Sequence, residues 1–355
     1  MNSSSSHTSN LPLNKDGRIE YIDAMRGFTM ILVVLNHVAL YCLGISRSVP
    51  SYHIYLQEIQ MPLFFFISGF VLYKPNVQWG IKHTAKFITR KIPVLIVSPF
   101  IFFFIYLYLN HIPFWEGLYN EVKCGYWFTL VLFVFLVYYS LIRFILKIIN
   151  VDNSYSDFII LILGFSFYFI RYLPLNVEIK NLFCMSNWYL FIFFVIGTLT
   201  RKHLNHIQVA IDKTPLILIA ILIFFLFNIF EKFIGLHFSL VLLFLTSLSG
   251  VVLVFSFFKN RLYFWNKEST VSSCLQFIGK RTLDIYLIHF FLLPVFLKDL
   301  VSDSLTSNPF PFIDMTISIF IALIVIGGSL LISNIIRLSP FLVHWLFGAK
   351  YPAKN

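Results

Sequence analysis

Apolar residues run along this chain in long unbroken stretches rather than in alternation, and the polar residues collect in the short segments between them. Runs of membrane-spanning length lie near 22–43, 59–73, 92–109, 127–146, 158–173, 187–200, 214–231, 237–258, 283–298 and 315–336. A hydrocarbon core about 30 Å thick takes about 20 apolar helical residues, so the pattern predicts an all-α integral membrane protein, a bundle of about ten transmembrane helices. The second, fifth and sixth runs are short, which suits interfacial flanking residues or a locally thinned bilayer. One transmembrane domain is expected over 18–340. It is flanked by a polar N-terminal tail, 1–17, expected to be disordered, and by a C-terminal tail, 341–355. No small-residue cleavage site follows the first apolar run, which is too long for a signal-peptide core and is expected to remain as a helix.

Composition agrees with this solvent. With 58% hydrophobic residues, 12% charged and 43 Phe, the chain has too few charges to cover a water-soluble surface. Where the basic residues fall says more than the net charge of +11. If the N-terminus is cytoplasmic, the outer segments hold only Arg47, Lys123, Arg171, Lys180, Lys232 and Lys298, and Arg26 lies inside the first helix. Every other Lys and Arg falls on the inner side, as the positive-inside rule requires, so both termini are expected to be cytoplasmic. Short basic loops beside anionic headgroups account for the charge, making membrane lipids the expected partners and nucleic acid not one. The chain has no Gly-rich nucleotide loop and no internal repeat. Its four cysteines lack metal-ligand spacing, so no metal is expected. Cys124 and Cys184 fall on the outer side, where they could form a disulfide or remain unpaired thiols.

Candidate chemistry begins in the first run, YIDAMRGFTMILVVLNHVAL, where Arg26 and His37 stand eleven residues apart. At about 100° per residue, eleven steps make about three turns plus 20°, so both side chains share one helix face. A rise of about 1.5 Å per residue puts them about 16 Å apart, with Arg26 near one membrane surface and His37 near the middle. An imidazole at that depth is costly unless partnered and points to function; a packing histidine bonded to a nearby carbonyl is the plainer alternative. Asp23, three residues before Arg26, could orient it. Glu58 opens EIQMPLFFFISGFVLY, in which Pro62 is expected at the start of the second helix. KHTAKFITRKIP groups Lys82, Lys86, Arg90 and Lys91 beside the expected cytoplasmic mouth, where they suit an anionic ligand or simply face headgroups. CLQFIGKRTLDIYLIHFF carries Gly279, Lys280 and Arg281, then Asp284, Tyr286 and His289. The last is either catalytic support or a structural histidine.

These segments together resemble the family 3 membrane acyltransferases, which include polysaccharide and O-antigen O-acetylases. The resemblance rests on Arg26-x10-His37, on MPLFFFISGF from Met61 to Phe70, on Trp127-Phe128, and on GKRTLDIYLIH from Gly279 to His289. Their order covers nearly the whole chain, and the opening RIEYIDAMRGFTMILVVLNH looks closest to the branch of fucose 4-O-acetylase-like enzymes. Two departures stand out. The family often has two arginines three apart before the third helix, and here Phe87 occupies the first position and Arg90 the second. The Trp-Phe-Leu signature reads Trp127-Phe128-Thr129.

The resemblance implies acyl transfer from a cytoplasmic acyl-coenzyme A, most often acetyl-coenzyme A, to a sugar hydroxyl of a cell-surface glycan or its lipid-linked precursor. It also implies the inner membrane of a bacterium, with polysaccharide-assembly proteins as candidate associates. His37 would be the general base, or would carry the acyl group itself. Arg26 would bind donor phosphate or balance developing charge. Asp23, Glu58 and His289 would support catalysis, and Lys86, Arg90, Lys91, Trp127, Lys280 and Arg281 would bind the donor. A transporter of a small anion or lipid-linked sugar is the rival reading. It would be marked by repeat symmetry between the two halves, and none is found.

Overall fold

The computed structural model describes residues 18–45, 53–75, 77–170, 173–211, 213–230, 239–266, 269–300 and 311–348. Helices and turns make up the whole of it, with no strand among the described residues. Six helices are long and apolar enough to cross a membrane: Glu20–Cys42, Tyr55–Leu72, Ile81–Leu109, Trp127–Ile148, Val241–Asn260 and Phe312–Ile336. Leu204–Ile211 and Thr214–Leu226, bent by 77°, make a seventh if the pair is one span. Three of the expected ten crossings correspond to shorter helices, Tyr155–Phe169, Phe191–Lys202 and Thr282–Leu292. The last is short for a readable reason. Pro294 forces the residue before it out of the helical region, and Leu293 accordingly stands at φ −67°, ψ 121°.

One local reading changes. Pro62 lies well inside the helix His53–Leu72 rather than at its start, a position membrane helices accept when neighbours satisfy the freed carbonyl. Residues 1–17 and 349–355 lie outside the described residues, and Pro340–Phe347, running into the expected C-terminal tail, is a helix. Ser339 caps it by accepting from the Leu342 N–H, and Gly348, at φ 63°, ends it.

The described residues fall into two compact units. The first is drawn from Met1–Met30, Gln57–Val77 and Ile196–Lys280, the second from Ile31–Leu56, Gln78–Val195 and Arg281–Asn355. The first helix is continuous from Glu20 to His37, contributing Arg26 to one unit and His37 to the other.

In the first unit, the first helix and Thr270–Lys280 pack main chain against main chain. A Cβ on Gly27 would collide with the Leu275 carbonyl, and one on Gly279 with the Asp23 carbonyl. Small residues permit this approach, and close packing replaces the hydrophobic drive that lipid removes. Phe255 stands at the centre of the aromatic core, 5.2 Å from Phe66, 5.6 Å from Phe70 and 6.5 Å from Tyr21 between ring centroids.

In the second unit, the 29-residue span Ile81–Leu109 passes through one wide turn at Pro93–Val97, where the helix widens at the proline. Phe87, which replaces the expected arginine, packs edge-on against Trp79 at 5.4 Å, and Trp79 meets Tyr139 at 6.1 Å. That position therefore serves packing, and the exposed cations Lys82, Lys86 and Arg90 line up four residues apart on the same helix.

Candidate active site

His37 is the last residue of the regular first helix, immediately before a wider π-helical turn, Val38–Cys42. Such turns change which way the following side chains face and recur at functional sites. From this position His37 Nδ1 lies 2.9 Å from Nε2 of His289, with the two rings 6° from parallel. His289 is fully buried, and its Nδ1 lies 2.9 Å from both the Ile285 and the Tyr286 carbonyl oxygens.

These contacts fix the protons. Carbonyl oxygens only accept, so Nδ1 of His289 carries a hydrogen and donates to them. In the neutral ring Nε2 is then a lone pair, which accepts from Nδ1–H of His37. That leaves the basic lone pair of His37 on Nε2. Nε2 makes no hydrogen bond to any described residue, and the side chain is part-exposed. The arrangement is an oriented base, held by a second imidazole whose own tautomer is set by the main chain.

Several residues hold His289 in place. The Tyr286 hydroxyl donates to the Gly125 carbonyl at 3.1 Å, and the Tyr126 hydroxyl donates to the Leu287 carbonyl at 3.0 Å. Phe290 covers both imidazoles, 4.8 Å from His37 and 4.3 Å from His289 between centroids. Its ring occupies the space a Cβ on Gly125 would need, and Gly125 stands at φ 97°, which only glycine adopts without strain. Asp284 anchors the same helix from its other end. It is 2% exposed and accepts from Ser333 Oγ at 2.5 Å, Arg337 Nη2 at 2.7 Å, Arg337 Nε at 2.9 Å and Arg281 Nη1 at 3.2 Å. The DIYLIH run thus clamps at Asp284, braces at Tyr286 and meets His37 at His289.

The remaining expected residues do not all converge. Asp23 is paired with Arg18 through two bonds of 2.7 Å. The Arg26 guanidinium feels Asp23 electrostatically but makes no hydrogen bond to a described residue. Glu58 is buried in the first unit with Ser247 Oγ 3.4 Å from its carboxylate, and Lys280 is exposed in that unit. In the second unit Lys86 and Arg90 are exposed, Lys91 lies over the Phe87 ring at 5.7 Å, and Trp127 stands beside Phe128 at 6.3 Å. Thr129, at the third signature position, is buried beside Tyr286. Arg281 is engaged by Asp284 and Ser333.

Sequence reasoning did not single out His53. The residue is fully buried at the start of the second helix and near enough to His37 to act on it electrostatically. It also missed Arg337, Tyr126 and Phe290, whose roles come from contacts far along the chain. Cys124 and Cys184 are free thiols, not a disulfide. Burial pushes the Cys184 thiol up to about 11, which leaves it protonated and unreactive near neutral pH. Among the described residues no three His, Cys, Asp or Glu side chains group so as to hold a metal ion.

A family model described as an acyltransferase domain, of acyltransferase family 3, matches residues 19–336. No curated protein and no solved structure matches the chain.

Proposed function

Since the chain belongs to acyltransferase family 3 and is an integral-membrane acyltransferase, we propose that it moves an acyl group, acetyl above all, from cytoplasmic acetyl-coenzyme A to a sugar hydroxyl. The acceptor in this reading is a cell-surface glycan or its lipid-linked precursor, and the site is a bacterial inner membrane beside polysaccharide-assembly proteins. The observation that carries it is the free Nε2 of His37, oriented by the bond from Nδ1–H to His289.

In the reaction, Nε2 of His37 accepts the proton of the acceptor hydroxyl as that oxygen attacks the thioester carbonyl. The carbon–sulfur bond then breaks, and the proton passes from His37 to the departing thiolate. His289 keeps Nδ1–H of His37 bonded throughout, so the imidazolium that forms is oriented and stabilised by that hydrogen bond. Arg26, without a hydrogen-bonded partner among the described residues, is suited to donor phosphate, as are the exposed Lys86 and Arg90. Lys91, Trp127, Lys280 and Arg281 complete the proposed donor set.

Ten crossings are part of the proposal: the six long spans, the bent pair and the three short apolar helices, with both termini cytoplasmic. The test of the function is transfer itself. Purified protein in detergent, supplied with labelled acetyl-coenzyme A and glycan extract, should acetylate the glycan. His37→Ala should abolish the label while keeping the wild-type melting temperature. Undiminished label in a folded His37→Ala protein would end the assignment.

A further inference from the structure

Within the first unit, the ends of four helices bring together two buried donor atoms without a hydrogen-bond partner, on Arg201 and Tyr21, and a further cation beside them. Arg201, in the last turn of Phe191–Lys202, lays its guanidinium over the Phe70 ring at 5.1 Å. It makes no hydrogen bond or ion pair with any described residue, and its Nη1 is buried without a partner. Tyr21, in the first turn of the first helix, is 1% exposed, and its hydroxyl is likewise buried without a partner. Arg201 acts electrostatically on that hydroxyl. Lys259, in the last turn of Ser239–Asn260 and 5% exposed, sets its ammonium over the Tyr21 ring at 5.8 Å. Phe70, Phe255 and Tyr21 form the aromatic floor between the two cations.

A helix C-terminus favours a nearby cation, and that alone could place Arg201 and Lys259 here. It does not explain Arg201, whose Nη1 makes no hydrogen bond at its own helix end. Guanidinium and ammonium groups only donate, and a phenol can donate. The two unpartnered donors, Arg201 Nη1 and the Tyr21 hydroxyl, are satisfied by a multiply accepting anion, and a phosphate ester supplies several oxygens to a planar fork beside the Lys259 charge.

We propose that Arg201, Tyr21 and Lys259 form a phosphate-ester site at the end of the first unit where the chain's helices meet the cytoplasmic interface. The phosphate can come from two sources with the same chemistry, an anionic lipid headgroup or a soluble nucleotide such as coenzyme A. The site does not rest on the role of His37.

The experiment has one arm for each source, using the full chain in neutral detergent. Native mass spectrometry reads retained phosphatidylglycerol against phosphatidylcholine, and equilibrium dialysis reads coenzyme A. Arg201→Gln should weaken binding at least tenfold in one arm, and Arg201→Lys should restore part of it. Tyr21→Phe, which removes only the hydroxyl and keeps the ring on Phe255, should weaken the same arm about threefold. The arm that responds identifies the source. His37→Ala should bind as wild type in both arms, which separates this site from the transfer chemistry. If Arg201→Gln fails to fold, Tyr21→Phe decides. The proposal is overturned if the wild type binds neither ligand, or if folded variants bind both as wild type does.

Discussion

His37 and His289 stand with their rings 6° from parallel and one 2.9 Å bond between Nδ1 of the first and Nε2 of the second. The proton position on His37 is therefore set by a residue 252 positions later in the chain. Without His289, Nδ1 of His37 loses its acceptor and the two tautomers compete. His289→Ala should lower kcat for acetyl transfer by about 10²- to 10³-fold, the range for a misplaced base, with coenzyme A affinity unchanged. His289→Gln should recover part of the loss, because its amide oxygen can accept from Nδ1–H. A wild-type kcat in His289→Ala would show that the bond is packing only.

Asp284 offers a stability test that stands apart from the chemistry. Its removal leaves the Arg281 and Arg337 cations without the carboxylate they share, with Ser333 Oγ still accepting from Arg281. Asp284→Ala should cost about 3 kcal/mol, the low end for a broken buried pair because Arg337 is 32% exposed. Thermal unfolding in detergent measures this, and Asp284→Asn should fall between the two, since it keeps an acceptor for Ser333 but not the charge.

Two glycines should behave in opposite ways. Gly279→Ala drives a methyl into the Asp23 main chain, and such overpacking costs about 1–3 kcal/mol or more where backbone cannot yield. Gly80→Ala meets nothing within 4 Å and should melt nearly as the wild type does. Equal melting of the two variants would mean that the close approach of the first helix and Thr270–Lys280 is not maintained.

For the donor, Arg90→Ala should raise the Kd for acetyl-coenzyme A by several-fold, and Arg90→Lys should restore only part, because the planar fork is lost. Added salt should weaken binding further, as expected for exposed charges. Titration by calorimetry across ionic strength checks both, and an unchanged Kd in Arg90→Ala would move the donor off this helix.

Topology is open to labelling. Cys42 and Cys184 are buried, so a background with Cys124 and Cys274 replaced by Ser is silent to a membrane-impermeant thiol reagent. On intact cells that reagent should modify a cysteine placed at Asn120 and not one placed at Asn205. The reverse pattern would invert the chain and carry the Lys86 and Arg90 row away from cytoplasmic coenzyme A.

The sequence by itself determined the solvent, the helical class and the first helix, because each depends on local composition and on a fixed 3.6-residue period. The spacing of Arg26 and His37 is of that kind, and so is the reading of DIYLIH as a motif with Asp284 and His289 in it. Tertiary structure decided which partners those groups take. Asp23 paired with Arg18, Cys124 and Cys184 stayed apart, and Phe87 packed against Trp79. It joined His289 to His37, and Arg337 to Asp284, across long stretches of chain. Hydrogen bonds and ion pairs act over about 3 Å, and a one-dimensional pattern does not encode which distant helices come within that reach.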